Sequence, residues 1–244
     1  MAELASTLPS AMAAPPALRM HDVTAGYGET TVLRGVSLEL PRGSAGALVG
    51  PNGAGKTTTL GVLSGLVAPT SGLVALDGRD VTRTPPHERQ HLGLCHVPEG
   101  RGTFPSLTTR ENLVLVAPRG QEHEAISMAV EAFPSLGRRL DQPAGSMSGG
   151  ERQMLAVARA YVSSPDVILL DEVSLGLAPI VIEGIYEFLH DLKERGATML
   201  IVEQFVERAF DLADVAWVMT KGSISPATSP DDLDADALAA MYLG

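Results

Sequence analysis

One cysteine, one tryptophan and an aromatic share of 4% are what this 244-residue chain makes do with. The lone thiol, Cys95, closes no intrachain disulfide, which fits a reducing compartment, and its apolar neighbours suit core filling. Basic residues are scarce as well: 18 Lys and Arg stand against 29 Asp and Glu, a formal net charge of −11. A free-standing nucleic-acid binder carries a basic face, so nucleic acid is set aside as a partner. No apolar run reaches the ~20 residues that a membrane span requires. Residues 1–17 are rich in Ala and Pro, but Glu3 stands where a signal peptide has a basic start, so the segment reads as a disordered tail. His87, His91, His96, His123 and His190 show no metal-ligand spacing, and the acidic cluster 231–236 lacks the Gly and final Glu of a calcium loop.

Against these absences stands Gly50-Pro51-Asn52-Gly53-Ala54-Gly55-Lys56-Thr57, a complete G-x-x-x-x-G-K-[ST] run followed by Thr58. The short apolar stretch 45–49 before it has strand length, and 57–63 can continue as a helix. Strand, glycine loop and helix aim main-chain N–H groups and a helix N-terminus at a polyphosphate. Gly53 and Gly55 are expected to let the backbone curl around anionic oxygens where a Cβ would intrude. Lys56 supplies positive charge for the β- and γ-phosphates of ATP, and the Thr57 hydroxyl can ligate Mg²⁺.

The surrounding pattern is that of an α/β protein with a mainly parallel sheet and an aliphatic core. Alternating polarity predicts half-buried strands over 18–25 and 36–40, and Asp77-Gly78 signals a hairpin within 72–81. From about Pro85 to Ser146 the texture becomes that of an inserted helical arm. Thr108 and Glu111 form a capping box, and the spacing predicts one further helix over 122–136. Buried strands over 166–171 and 198–202 and a helix over 180–195 restore the alternation.

Two more segments carry chemistry. Asp171-Glu172 ends an apolar strand, where an Asp can hold Mg²⁺ and its neighbour can orient or deprotonate the attacking water. Ser148-Gly149-Gly150-Glu151 opens a helix with a capping box, and its two glycines clear the helix start for an anion such as the γ-phosphate.

With these residues the chain resembles the ATP-binding subunits of ABC transporters over nearly its whole length, from about Leu18 onward. The resemblance implies a P-loop NTPase core, an N-terminal antiparallel β subdomain and a helical subdomain at about 85–160 inside an ATP-binding domain spanning 18–244. It implies that Tyr27 stacks on adenine and that Ser148, Gly149, Gly150 and Glu151 complete the site of a second ATPase protomer in a head-to-tail dimer. Three departures narrow the branch. Val97-Pro98-Glu99-Gly100-Arg101 puts Glu99, not Gln, at the Mg²⁺-facing position. Gln204 replaces the usual switch His, and Ser174-Leu175-Gly176-Leu177-Ala178-Pro179 replaces Ser-Ala-Leu-Asp. Together they resemble the ATPases of branched-chain amino acid importers, of the LivF type. Val173 and Phe205 depart from that branch, without removing a catalytic group.

The resemblance then implies ATP hydrolysis with Glu172 as base and Gln204 as a γ-phosphate sensor. Gln204 donates an amide hydrogen bond but cannot titrate. The partners implied are membrane permease subunits, a second ATPase (self or paralogue) and, indirectly, a solute-binding protein, at the cytoplasmic face of the plasma membrane. Importers of urea or short amides share the same departures, and a soluble ABC ATPase without a transporter is the remaining alternative.

Overall fold

The computed structural model describes residues 14–100, 102–204 and 206–233; Arg101 and Phe205, named above, lie outside it, as do most of the N-terminal tail and Asp234 and Asp236 of the acidic cluster. In chain order the elements are β1 (Leu18–Tyr27), β2 (Thr30–Leu40), β3 (Ala45–Val49), α1 (Lys56–Ser64), β4 (Pro69–Leu76) and β5 (Arg79–Asp80). There follow α2 (Pro86–His91), β6 (Leu94–Val97), α3 (Thr109–Val114), α4 (Glu122–Ala132), α5 (Pro134–Gly137) and α6 (Gly149–Val162). The chain continues through β7 (Val167–Asp171), α7 (Pro179–Glu194), β8 (Thr198–Glu203), α8 (Val206–Leu212), β9 (Val215–Thr220) and β10 (Ser223–Ile224).

The alternation seen in the first third produces an antiparallel sheet, ordered β2-β1-β4-β5. In β2, Val36, Leu38 and Leu40 turn inward while Ser37 and Glu39 face solvent, as a period of two requires. The second sheet runs β10-β9-β3-β8-β7-β6, parallel except for the short β9–β10 hairpin. Its central strands are buried on both faces. In β7, Ile168 and Leu170 point to one core while Val167 and Leu169 point to the other. That double coverage is why these strands read as unbroken apolar runs.

Differences from the sequence reading have local causes. The helix expected over 122–136 breaks at Phe133, whose φ of −133° and ψ of 85° are extended, and α5 restarts with Pro134 at its first position. Proline has no N–H and pushes the residue before it out of the helical region. β6 lies within the 85–160 range yet joins the edge of the parallel sheet beside β7, so the helices α3 to α5 begin only beyond it. α6 packs against α3, α4 and α5 on one side and against β6 and α7 on the other, tying the helical layer to the sheet. At the boundary of the tail, Ala17 is buried and its carbonyl accepts from Asp77 N–H at 3.0 Å, so ordered structure starts before β1.

Two buried side chains hold the sheets and α1 in register. The Arg89 guanidinium donates to the carbonyls of Val62 and Leu63 at 2.7 Å each, and also to those of Thr84 and Thr82. A cation there answers the partial negative charge at the end of α1, where the last carbonyls lack their i+4 donors. Trp217, 1% exposed, sits beside Leu48 of β3 and covers Gly46, where a Cβ would come within 2.7 Å of the indole.

Candidate nucleotide site

Parallel register gathers the candidate residues at one edge. Val49 pairs with Glu203, Val202 with Asp171 and Leu170 with Val97, so β3, β8, β7 and β6 end side by side. The segments leaving those ends are the loop 50–55, Gln204, Glu172 and Glu99. Ligands of open α/β sheets bind beyond the carboxyl ends of such strands.

Each loop glycine has its own reason. Gly50 has φ 155°, and a Cβ there would overlap the Met219 carbonyl, so β3 and the end of β9 could not approach as they do. Gly53 has φ 78° with open space where its Cβ would stand, so its requirement is conformational. Gly55 has φ 116°, and its missing Cβ faces Leu33 and Met219 of the core. The expectation that a Cβ on Gly55 would intrude on the anion is therefore corrected: it would intrude on the protein. Gly55 is the N-cap of α1 and offers no side-chain oxygen, and the first turn of α1 carries no acidic residue. Its N–H groups are left to an outside acceptor.

A turn from the far end of the sheet fixes the loop's position. Gly222 N–H donates to the Ala54 carbonyl at 2.8 Å, and the Gly222 carbonyl accepts from Arg34 N–H at 2.9 Å. The turn after β9 is thereby held between the loop and β2.

The charged groups converge. Lys56 is buried, and its Nζ donates to the carbonyls of Gly50 at 2.8 Å and Pro51 at 3.2 Å. It also lies 3.8 Å from Glu172 Oε1. The exposed Thr57 donates its hydroxyl to Asp171 Oδ1 at 3.4 Å, whereas Thr58 is buried behind it. Asp171 is 2% exposed, and its carboxyl is raised to about 6: burial is the largest cause, and the nearby Glu172 and Glu99 add to it. Glu172 has φ 45°, unusual for a side-chain-bearing residue, and its N–H is anchored to the Val202 carbonyl at 2.9 Å. Val173 beside it is fully buried, so the departure at that position fills the core.

Other candidates stand apart. Tyr27, at the end of β1, is 57% exposed, a ring free to meet a planar ligand. Ser148–Glu151 lies at the start of α6, and among the described residues no hydrogen bond or ion pair joins it to the loop or to Asp171 and Glu172. Its capping box is present in full: Ser148 Oγ accepts from Glu151 N–H at 3.3 Å, and Glu151 Oε2 accepts from Ser148 N–H at 2.9 Å. Those bonds, and Arg139 at 2.5 Å, hold the Glu151 carboxyl below the usual range. The α6 helix also reaches the Glu99 loop, because Arg159 donates to the carbonyls of Gly102 and Asn112.

Sequence reasoning passed over Glu203, 1% exposed at the end of β8. Its place, an acid closing an apolar strand, repeats that of Asp171 and could have marked it.

Residues 33–174 match the ABC transporter family model. The chain is 40% identical over 210 residues to the high-affinity branched-chain amino acid transport ATP-binding protein BraG of Pseudomonas aeruginosa, covering 85% of this chain and 90% of that one. It is 39% identical to the probable branched-chain amino acid transport ATP-binding protein LivF of Archaeoglobus fulgidus, with the same coverage. Its fold superposes with a TM-score of 0.78 on the ADP conformation of MJ1267, an ATP-binding cassette of an ABC transporter, at 26% identity over 93% of this chain and 98% of that one. With the family model matched over more than half its length and relatives aligned over most of it, the chain belongs to the ABC transporter family, among its ATP-binding proteins.

Proposed function

We propose that this chain is the ATP-hydrolysing subunit that powers an ABC importer of branched-chain amino acids. It would act at the cytoplasmic face of the plasma membrane, through permease subunits fed by a solute-binding protein. The observation that carries the reading is the likeness to BraG along nearly the full length of both chains. Glu99, Gln204 and 174–179 point the same way.

In this reading the loop 50–58 and the start of α1 hold the β- and γ-phosphates, Lys56 neutralises them, and Tyr27 stacks on the adenine. Glu172 orients the attacking water and accepts its proton, while the Gln204 amide donates to a γ-phosphate oxygen. Ser148–Glu151 serves the nucleotide of a second ATPase protomer. Glu151 is already engaged by Ser148 and Arg139, so the main chain of Gly149 and Gly150 is the part that meets phosphate. The helices from α3 to α5 form the arm that meets the permease.

The donor set suits Mg²⁺. Thr57, Asp171 and Glu99 are oxygen donors, and burial first, then the neighbouring Glu172 and Glu99, raise the Asp171 carboxyl and so favour a bound cation there. Among the described residues no three acidic, His or Cys groups cage a metal by themselves. Mg²⁺ asks for no such cage, since it takes one or two protein oxygens and completes its shell with phosphates and water. Bound there, it would draw charge from the phosphate oxygens. A proton and the cation then compete for Asp171, and the proton gains as pH falls through about 6. Lowering the pH from about 7.5 to about 5.5 should raise the Mg²⁺ concentration for half-maximal ATPase activity about fourfold, the ratio of ionised fractions for such a group. The terminal phosphate of ATP also takes up a proton in this range, so the shift is read from an Mg²⁺ titration at the two pH values after correction for free ATP's own Mg²⁺ affinity at each. So corrected, a carboxyl at the ordinary Asp value would leave it unchanged.

The function is tested by labelled leucine uptake in cells whose own copy is replaced by the parent chain or by Glu172→Gln. Uptake lost only with the variant supports branched-chain amino acid import. Equal uptake by both means that the solute differs or that a second leucine system masks the loss, and the assay is repeated with urea and short amides.

A further inference from the structure

Glu203 is a carboxylate buried where charge is expensive, and among the described residues no Lys, Arg or His forms an ion pair with it. Its partners are specific instead. Oε1 accepts from Ser174 N–H at 3.1 Å, and Oε2 accepts from the Ser174 hydroxyl at 2.7 Å and from Gln204 N–H at 3.3 Å. The Tyr186 hydroxyl comes near the same carboxylate, which, after burial, helps to hold its proton on.

These bonds span two segments that leave neighbouring strands. Ser174 stands two residues after Glu172, in the turn that follows β7, and Gln204 is the first residue after β8. Glu172 adopts a left-handed conformation that persists only where its surroundings over-determine it. The turn is secured to β8 twice: by Glu172 N–H on the Val202 carbonyl and by Ser174 on Glu203. The carboxylate that steadies this turn also holds the Gln204 main chain.

We propose that Glu203 is a positioning residue for hydrolysis, tying the turn that carries Glu172 to the segment that carries Gln204, so that base and γ-phosphate donor keep one spacing. This rests on the reading of Glu172 and Gln204 given above. Both carboxyl oxygens are required as acceptors, because all three partners donate. An amide of the same shape would turn an N–H₂ toward at least one N–H donor. The effect falls on the chemical step, since neither Glu203 nor Ser174 belongs to the phosphate loop.

The test compares the parent chain, Glu203→Gln, Ser174→Ala and the double variant for steady-state ATPase activity and thermal unfolding. Glu203→Gln keeps the volume and packing, and Ser174→Ala removes the hydroxyl bond of the same link from its other end while its main-chain N–H stays in place. The proposal expects kcat to fall about tenfold or more in each single variant, with KM for ATP within about twofold, and the double variant to lose little beyond either one. A kcat within about twofold of the parent in Glu203→Gln overturns it, as do additive losses or a fall in kcat matched by a rise in KM. Absence of turnover in the parent chain itself would instead sink the hydrolysis reading beneath it.

Discussion

Glu172→Gln should bind ATP as the parent does and hydrolyse it at least about a hundredfold more slowly, the lower end of what a positioned general base contributes. The substitution is nearly isosteric. It leaves the N–H bond to Val202 and the left-handed turn in place, and it removes only the charge and the proton-accepting oxygen 3.8 Å from Lys56. A hundredfold corresponds to about 2.7 kcal/mol of transition-state stabilisation. Binding is expected to persist because Lys56 and the loop carry it, and the loss of one carboxylate near the phosphates does not oppose it. Steady-state ATPase assays beside nucleotide titration separate the two effects. Retained turnover would pass the role of base to another group. Asp171 is a poor substitute, because its oxygen already accepts from Thr57 and, in the proposed site, its carboxyl would be held by Mg²⁺.

The largest loss of stability is expected from Gly222→Ala, far from the motifs. The residue has φ 83°, and a Cβ there would overlap the backbone carbonyl of Val32. No side-chain rotation relieves a clash with main chain, so the turn must leave its place between β2 and the loop. That forfeits the bonds to Ala54 and Arg34 together. A cost of about 4 kcal/mol places it among the severe single substitutions. For a chain of this size that lowers the unfolding midpoint by about 8–16 °C. The surviving folded fraction should show a raised KM for ATP, because Ala54 belongs to the phosphate loop. A midpoint within about 2 °C of the parent, in a thermal melt, would mean that the turn relaxes freely.

What could be read from the sequence was what is local in the chain. The glycine loop before α1, both capping boxes and the strand ending at Asp171 each declare themselves within a few residues, and the structure has each of these elements in place. Periodicity found α7 with its buried Ile182, Ile185, Leu189 and Leu192. It overran Phe133 because the apolar spacing continues across Pro134, whose effect on the preceding backbone is steric and leaves no trace in the spacing. β6 is four residues long, too short for any period to show. What Gly50, Gly222 and Glu203 contact was hidden for a different reason. Their partners, Met219, Val32 and Ser174, lie 29 or more positions away in sequence, so only the assembled sheet reveals what each must avoid or hold.

Trp217 gives the molecule an optical reporter of its own. It is the chain's single tryptophan, so intrinsic indole emission comes from one place, the dry contact between β9 and Gly46 beneath the phosphate loop. Emission from that site should lie toward the blue and shift red as the sheet opens. Unlabelled protein can therefore be followed through its unfolding by the fluorescence of the very strand pair on which the loop is mounted.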